Sequence, residues 1–121
     1  MQGPDGQIKL SSEMTPYERL AEHLRHCPTL LKRWNGGRAQ FWSYSTSHSS
    51  FSIRIKHADL TGYLEIRCAA DHICGPVEWE NANIQITLDQ GLFFVIEDHV
   101  ASVRIIAATV SVSEYLNSPP F

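Results

Sequence analysis

Apolar side chains recur every three to four residues in the first third of the chain, a spacing that places them on one stripe of an amphipathic helix. The stripe consists of Tyr17, Leu20, Leu24, Cys27 and Leu31. Thr15, Pro16 and Glu18 form a capping-box start, which predicts where the helix begins. Pro28 disfavours helical geometry at the preceding residue, so we expect the helix to end or kink there. The Asn-Gly-Gly sequence at residues 35–37 predicts a left-handed stop.

After Gly37 the period of the apolar residues changes from helical to two, which is the period of half-buried strands. Strand-like runs are predicted at residues 41–46, 51–57, 64–68, 73–79, 84–88, 92–96 and 103–115. Intervening turns are predicted at residues 47–50, 58–62, 89–91 and 97–99. Arg54 and Lys56 are expected to lie across from Glu65 in an antiparallel hairpin. The run at 92–96 is apolar on both sides, so we expect it to be covered on both faces.

These elements predict an α+β, mostly β, fold. An N-terminal amphipathic helix would pack on a curved antiparallel sheet, or a partly open barrel, of six to seven short strands. The chain of 121 residues has the length of one domain. We expect residues 15–117 to form that domain, helical at 15–35 and β-rich at 39–115. Residues 1–14 and 118–121 are predicted tails, and Ile8 and Leu10 suggest a short strand within the first.

Charge is distributed unequally along the chain. The stretch from residue 19 to residue 67 contains eight basic residues and three acids, whereas the chain from Cys68 onward contains Arg104 and seven acids. Either the two halves interleave their charges on one surface, or a basic face meets an acidic partner or the acidic face of a second copy. The net charge of −3 makes nucleic acid an unfavoured partner.

Three cysteines are an odd number, and their spacing is not that of a disulfide framework. The start of the sequence has no apolar stretch typical of a secretory signal, and no apolar run is long enough to span a membrane. We therefore expect a soluble, cytoplasmic protein with reduced thiols and no membrane partner. A bridge between Cys68 and Cys74 is feasible only if a tight hairpin joins them.

The stretch from Cys68 to Trp79 is the most distinctive part of the sequence. Cys68, His72 and Cys74 are types of residue that bind zinc, with His57 or Cys27 as a fourth ligand brought in by folding. The spacing does not match a zinc knuckle. The alternative, which we favour, is that both cysteines fill space at a sharp corner between two strands, where Gly75 and Pro76 set the bend or bulge, and that His72 is an exposed turn residue. No cofactor is predicted.

Aromatic and basic residues occur together in the predicted first hairpin. Trp42, Tyr44, Arg54 and Lys56 are the candidate ligand-binding residues, because aromatic rings beside cations can stack bases or sugars. Their neighbours Arg38, Phe41 and Phe51 would extend the platform. The alternative is that some of these rings fill the core while the others cover an edge or an oligomer contact.

No complete catalytic constellation is recognisable, so an enzyme is the less favoured class. Our leading hypothesis is a small non-catalytic binding or protein-interaction domain that self-associates. The predicted edges at residues 41–46 and 74–79 are the candidate contacts, because exposed strand edges must be covered. The alternatives are a metal-binding protein, or a small enzyme in which His57, His72 or His99 acts as acid or base in a cleft between helix and sheet.

Overall fold

The computed structural model describes residues 14–45 and 50–117. Helix α1 spans Pro16–Glu22 and helix α2 spans Cys27–Arg33. The predicted capping box is present: Thr15 Oγ1 accepts from the Glu18 amide at 3.1 Å, and a Glu18 oxygen accepts from the Thr15 amide at 3.0 Å. The helix bends as predicted, but the interruption lies at residues 23–26 and not at Pro28. Pro28 lies in the first turn of α2, where its missing N–H costs nothing.

Seven strands follow, all paired antiparallel. They are β1 Arg38–Ser45, β2 Ser50–Lys56, β3 Tyr63–Cys74, β4 Glu78–Trp79, β5 Gln85–Leu88, β6 Phe94–Asp98 and β7 Val103–Tyr115. Their order in the sheet is β4-β1-β2-β3-β7-β6-β5. The sheet curls into a half-barrel, and the bent helix packs on it, which confirms the mostly β α+β fold.

The core lies between the helix and one face of the sheet. On that face Ile53 of β2 lies opposite Ile66 of β3, which in turn lies opposite Val112 of β7. The largest fully buried apolar side chains are Trp34, Phe94, Ile53, Leu64, Ile66, Ile96 and Ile105. Their alternation along the strands is the period-two pattern of the sequence.

The carboxylate of Glu114 on β7 forms hydrogen bonds to the C-terminal end of α2. Glu114 accepts from the Trp34 indole nitrogen at 2.7 Å and from Arg33 Nη1 at 2.9 Å. Trp34 is fully buried, so its N–H needs a partner inside the fold. Gly36 follows with a φ of 88°, the left-handed stop that the sequence predicted.

Strand β3 is longer than the sequence indicated. It continues through Cys74, so Cys68 lies in the middle of a strand and not at a corner. The corner comes at Gly75, where φ is 140°, as predicted for the Gly75-Pro76 step. Residues 69–72 do not alternate between apolar and polar side chains, so the sequence did not indicate a strand there. β3 nevertheless stays paired with β7, with register shifts between Cys68 and Ala70 and between Ala70 and His72. Hydrogen bonding to the long strand β7 therefore extends β3 beyond the residues that the apolar–polar pattern predicted.

The predicted turn at residues 97–99 also needs correction. Asp98 is the last residue of β6 and is buried, with its Oδ2 accepting from the Trp79 indole at 2.8 Å and from the Asn83 amide at 2.7 Å. The turn begins only at His99. Val95 is buried although it lies on the face away from the core, consistent with the predicted double cover of this strand.

The predicted strand at Ile8 and Leu10 and most of the turn at 47–50 lie outside the described residues. Within the described ranges, no helix has the length and apolar character needed to cross a bilayer.

Candidate binding face

The face of the sheet opposite the helix buries polar groups among aromatic rings. Strand alternation brings Arg54 of β2, Tyr63, Glu65 and Arg67 of β3 and Tyr115 of β7 to this side. Trp42 of β1 joins them through its contact with Arg54. We call this set of six residues (Trp42, Arg54, Tyr63, Glu65, Arg67 and Tyr115) the arginine face.

A β-bulge places Trp42 on the arginine face. Phe41 lies opposite Ile53 and Ser43 lies opposite Ser52, so Trp42 is the extra residue between two paired positions. Phe41 packs edge-on against Phe51 on the helix side, with ring centroids 4.7 Å apart. Because a bulge redirects side chains locally, Trp42 can point away from the helix.

The guanidinium of Arg54 lies between two aromatic rings. Its central carbon is 4.3 Å from the centroid of the Trp42 ring and 4.2 Å from that of Tyr63. Each such contact stabilises the pair by about 0.5–2 kcal/mol, depending on how far the cation is desolvated. The two rings therefore restrain the cation and leave part of its side chain exposed to solvent.

Glu65 lies opposite Arg54 on the neighbouring strand and is 5% exposed. One of its oxygens accepts from Arg54 Nε at 3.2 Å, and the other accepts from Arg67 Nη2 at 3.2 Å. The sequence predicted that Arg54 and Lys56 lie across from Glu65. The structure confirms this for Arg54, although the carboxylate is buried, whereas Lys56 lies opposite Arg38 of β1. Two arginines share one buried carboxylate, so the cluster has a net positive charge.

Exposed aromatic surface flanks the two arginines. Trp42 and Tyr115 are each 40% exposed, and the ring of Tyr115 stacks on that of Tyr63 with centroids 5.0 Å apart. The strand pairing of Tyr63 with Tyr115 brings these rings together from positions far apart in the sequence.

The other two predicted ligand-binding residues lie elsewhere. Tyr44 is 54% exposed, and its ring lies 6.3 Å from Phe51 on the opposite side of β1 from Trp42. Lys56 shares a face of β2 with Arg54 but lines a separate cavity at the end of the sheet. The structure thus brings Trp42 and Arg54 into contact and does not bring Tyr44 to them.

That cavity, which we call the end cleft, has a volume of about 830 Å³. Charged and imidazole groups in its wall come from Arg38, Lys56, His57 and Glu80. Arg38 is engaged with Glu78 at 2.7 Å. His57 Nδ1 accepts from the Asp59 amide at 3.0 Å, which in the neutral ring leaves the proton on Nε2.

The three histidines proposed as acid or base lie apart. His57 borders the end cleft, His72 is exposed on β3, and His99 is exposed in the turn after β6, 3.8 Å from Glu97. Asp98, the acid next to His99, accepts at Oδ2 from Trp79 and Asn83 and at Oδ1 from the Ala101 amide. These histidines do not converge on one pocket.

The proposed metal ligands are also separated. Cys68 is in the core, whereas Cys74 is exposed, six residues and roughly 20 Å further along the strand. The prediction that both cysteines fill space is therefore right for Cys68 and wrong for Cys74. Burial raises the pKa of the Cys68 thiol to about 11 and also raises the pKa of Cys27. Among the residues that the structure describes, no three His, Cys, Asp or Glu side chains form a group that could hold a metal ion.

The sequence reasoning missed Tyr63, Arg67 and Tyr115 as members of a site, and it gave Glu65 only a pairing role. The strand pattern did contain this information: Tyr63, Glu65 and Arg67 alternate with Leu64 and Ile66, so they lie together on the face of β3 away from the core. That Trp42 lies on the same side of the sheet could not be predicted, because its position depends on the bulge in β1.

No protein-family model, no curated protein and no solved structure matches this chain.

Proposed function

We propose that this chain is a small non-catalytic protein-interaction domain that self-associates through the arginine face. The observation that supports the proposal is the position of Arg54, which is held between two aromatic rings above a buried carboxylate. Tryptophan, tyrosine and arginine are the residue types most enriched among those that dominate binding energy at protein interfaces. The arginine face has all three types within one contact network.

Preorganisation strengthens this argument. Ordering a long side chain on binding costs about 0.5–1.5 kcal/mol, and a side chain already fixed in the free protein avoids that cost. Arg54 is fixed by Trp42, Tyr63 and Glu65 before any partner arrives. A partner would therefore meet a rigid cation with partly exposed rings beside it.

The strand edges suggested by the sequence are weaker candidates for the contact. Ala39 and Gln40 of β1 already pair with β4, and the Phe41 amide donates to the Val77 carbonyl at 2.8 Å. Cys74 pairs with Arg104 of β7. These pairings occupy part of each candidate edge, whereas the arginine face is open along several strands, so we propose the face of the sheet as the contact.

Static light scattering over a concentration series tests the proposal. We expect the average mass to rise from that of one chain towards that of two between about 10 µM and about 1 mM, a range typical of modest interfaces. Tyr44→Ala provides the matched control, because Tyr44 is an exposed aromatic on the same strand but on the other side. A strict monomer throughout the range would refute self-association.

We also propose that the protein works in the cytoplasm, a location supported by three free cysteines in the described chain. The metal-binding and acid–base alternatives stay predictions. Elemental analysis of protein purified without a chelator tests the metal alternative directly, since a site with structural zinc would show about one equivalent of metal.

A further inference from the structure

We propose that the guanidinium of Arg54 is a receptor for a carboxylate on the protein that docks against the arginine face. This inference rests on the function proposed above and names the chemical group that the face recognises.

The hydrogen bonds of Arg54 leave its outer end available. Arginine has five N–H donors, and in the described chain only the one on Nε has an acceptor, a Glu65 oxygen. The second Glu65 oxygen accepts from Arg67. No side-chain nitrogen or oxygen that is buried lacks a hydrogen-bond partner among the described residues. The two Nη groups of Arg54 therefore reach solvent with their donors unused.

The two rings determine what kind of group can bind there. Trp42 and Tyr63 each lie against the guanidinium and Glu65 accepts from its Nε, so the outer edge with the two Nη groups is left for a ligand. The edge presents two parallel N–H donors, a geometry that matches the two oxygens of a carboxylate. The Arg54 side chain is only 20% exposed, so such a bond is less screened by water than one at an open surface.

Charge also favours an anion. Arg54 and Arg67 bring two positive charges, and Glu65 balances one of them. A carboxylate from outside would balance the other. A second copy of this chain can supply one from Asp71 of β3, which is exposed and has no hydrogen bond or ion pair among the described residues.

Nuclear magnetic resonance of the ¹⁵N-labelled full chain tests the inference, with sodium acetate as the carboxylate probe and sodium chloride at equal ionic strength as the blank. We expect acetate to produce a saturable shift of the Arg54 Nε–H and Trp42 indole resonances. In Arg54→Lys the shift of the indole should weaken at least about tenfold, because an ammonium cannot present a planar fork. Arg104→Lys is the matched control, since Arg104 is an exposed arginine paired with Glu97 outside the arginine face.

Absence of a saturable acetate response, or an unchanged response in Arg54→Lys, would overturn the inference. Inorganic phosphate serves as a second probe, and saturation by phosphate without saturation by acetate would overturn the assignment to a carboxylate. The probe is a small ion, so its binding does not require a protein partner. Acetate binding to a strictly monomeric protein would support the receptor and refute self-association, whereas self-association without acetate binding would refute only the receptor.

Discussion

On the helix side of β2 and β3, Ile53 faces Ile66, and both side chains are fully buried. On the opposite side of the same two strands, Arg54 faces Glu65, and the carboxylate is buried almost as completely. Burial of the isoleucines stabilises the fold by removing apolar surface from water. Burial of an ion pair adds little net stability, because both charges lose solvation. The helix side of the sheet therefore stabilises the fold. The buried charges of the arginine face are not explained by stability, which is why we assign that face to binding.

The largest loss of stability should follow truncation on the helix side. Ile66→Ala removes a fully buried side chain at the centre of the sheet, and we expect the free energy of unfolding to fall by about 4 kcal/mol. Urea denaturation measures this change. A loss below about 1 kcal/mol would mean that this side of the sheet is not the well-packed core described above.

The next largest effect should come from the buried acid of the arginine face. Glu65→Ala leaves Arg54 and Arg67 without their shared partner, and we expect a loss of about 3 kcal/mol in unfolding free energy. The double variant Arg54→Leu with Glu65→Leu should recover most of that loss, because it removes the pair instead of breaking it.

The double variant also separates stability from binding. We expect it to fold as stably as the natural chain, to within about 1 kcal/mol, and to lose self-association. A stable double variant that still associates would show that Arg54 does not take part in the contact.

A smaller change in stability is expected for Trp42. Trp42→Ala removes one cation–π contact of a partly exposed ring, so unfolding free energy should fall by only about 1 kcal/mol. Self-association should nevertheless weaken at least about tenfold, as expected for an interface tryptophan. Tyr44→Ala should leave association unchanged, and sedimentation equilibrium compares the two variants. If Trp42→Ala and Tyr44→Ala weakened association equally, the contact would not be specific to the arginine face.

The smallest effect on stability is expected from alkylation of the exposed thiol. Cys74 is exposed and should react with iodoacetamide within minutes in the folded protein, without loss of stability. Cys68 is in the core, and with a pKa of about 11 its thiolate fraction at pH 8 is on the order of one in a thousand. Mass spectrometry of the modified peptides checks the order of reaction. Faster labelling of Cys68 would contradict its placement on the helix side.

Local signals were enough to predict the helix start at Thr15, a bend in the helix near Pro28 and the pairing of Arg54 with Glu65. Capping, proline geometry and strand alternation act over a few residues and can be read directly. The length of β3 beyond Cys68 could not be read, because it depends on pairing with β7 across two register shifts.

The arginine face was predictable only in part. Trp42 and Arg54 were identified as candidates because aromatic and basic residues cluster there in the sequence. Tyr115 comes from the last strand, and only the order of strands in the sheet brings it beside Tyr63. The bulge that redirects Trp42 has no marker in the sequence, since neither glycine nor proline occurs at that point.

The three tryptophans provide the most direct test of the claim that this face is the interaction surface. Trp34 and Trp79 are buried on the helix side and donate to Glu114 and Asp98, whereas Trp42 lies exposed on the arginine face. Each indole N–H gives its own ¹⁵N resonance, which can be assigned by substitution and followed as the protein is diluted. The account predicts that the Trp42 resonance shifts with concentration while those of Trp34 and Trp79 stay fixed. A concentration-dependent spectrum in which Trp42 does not shift would contradict it.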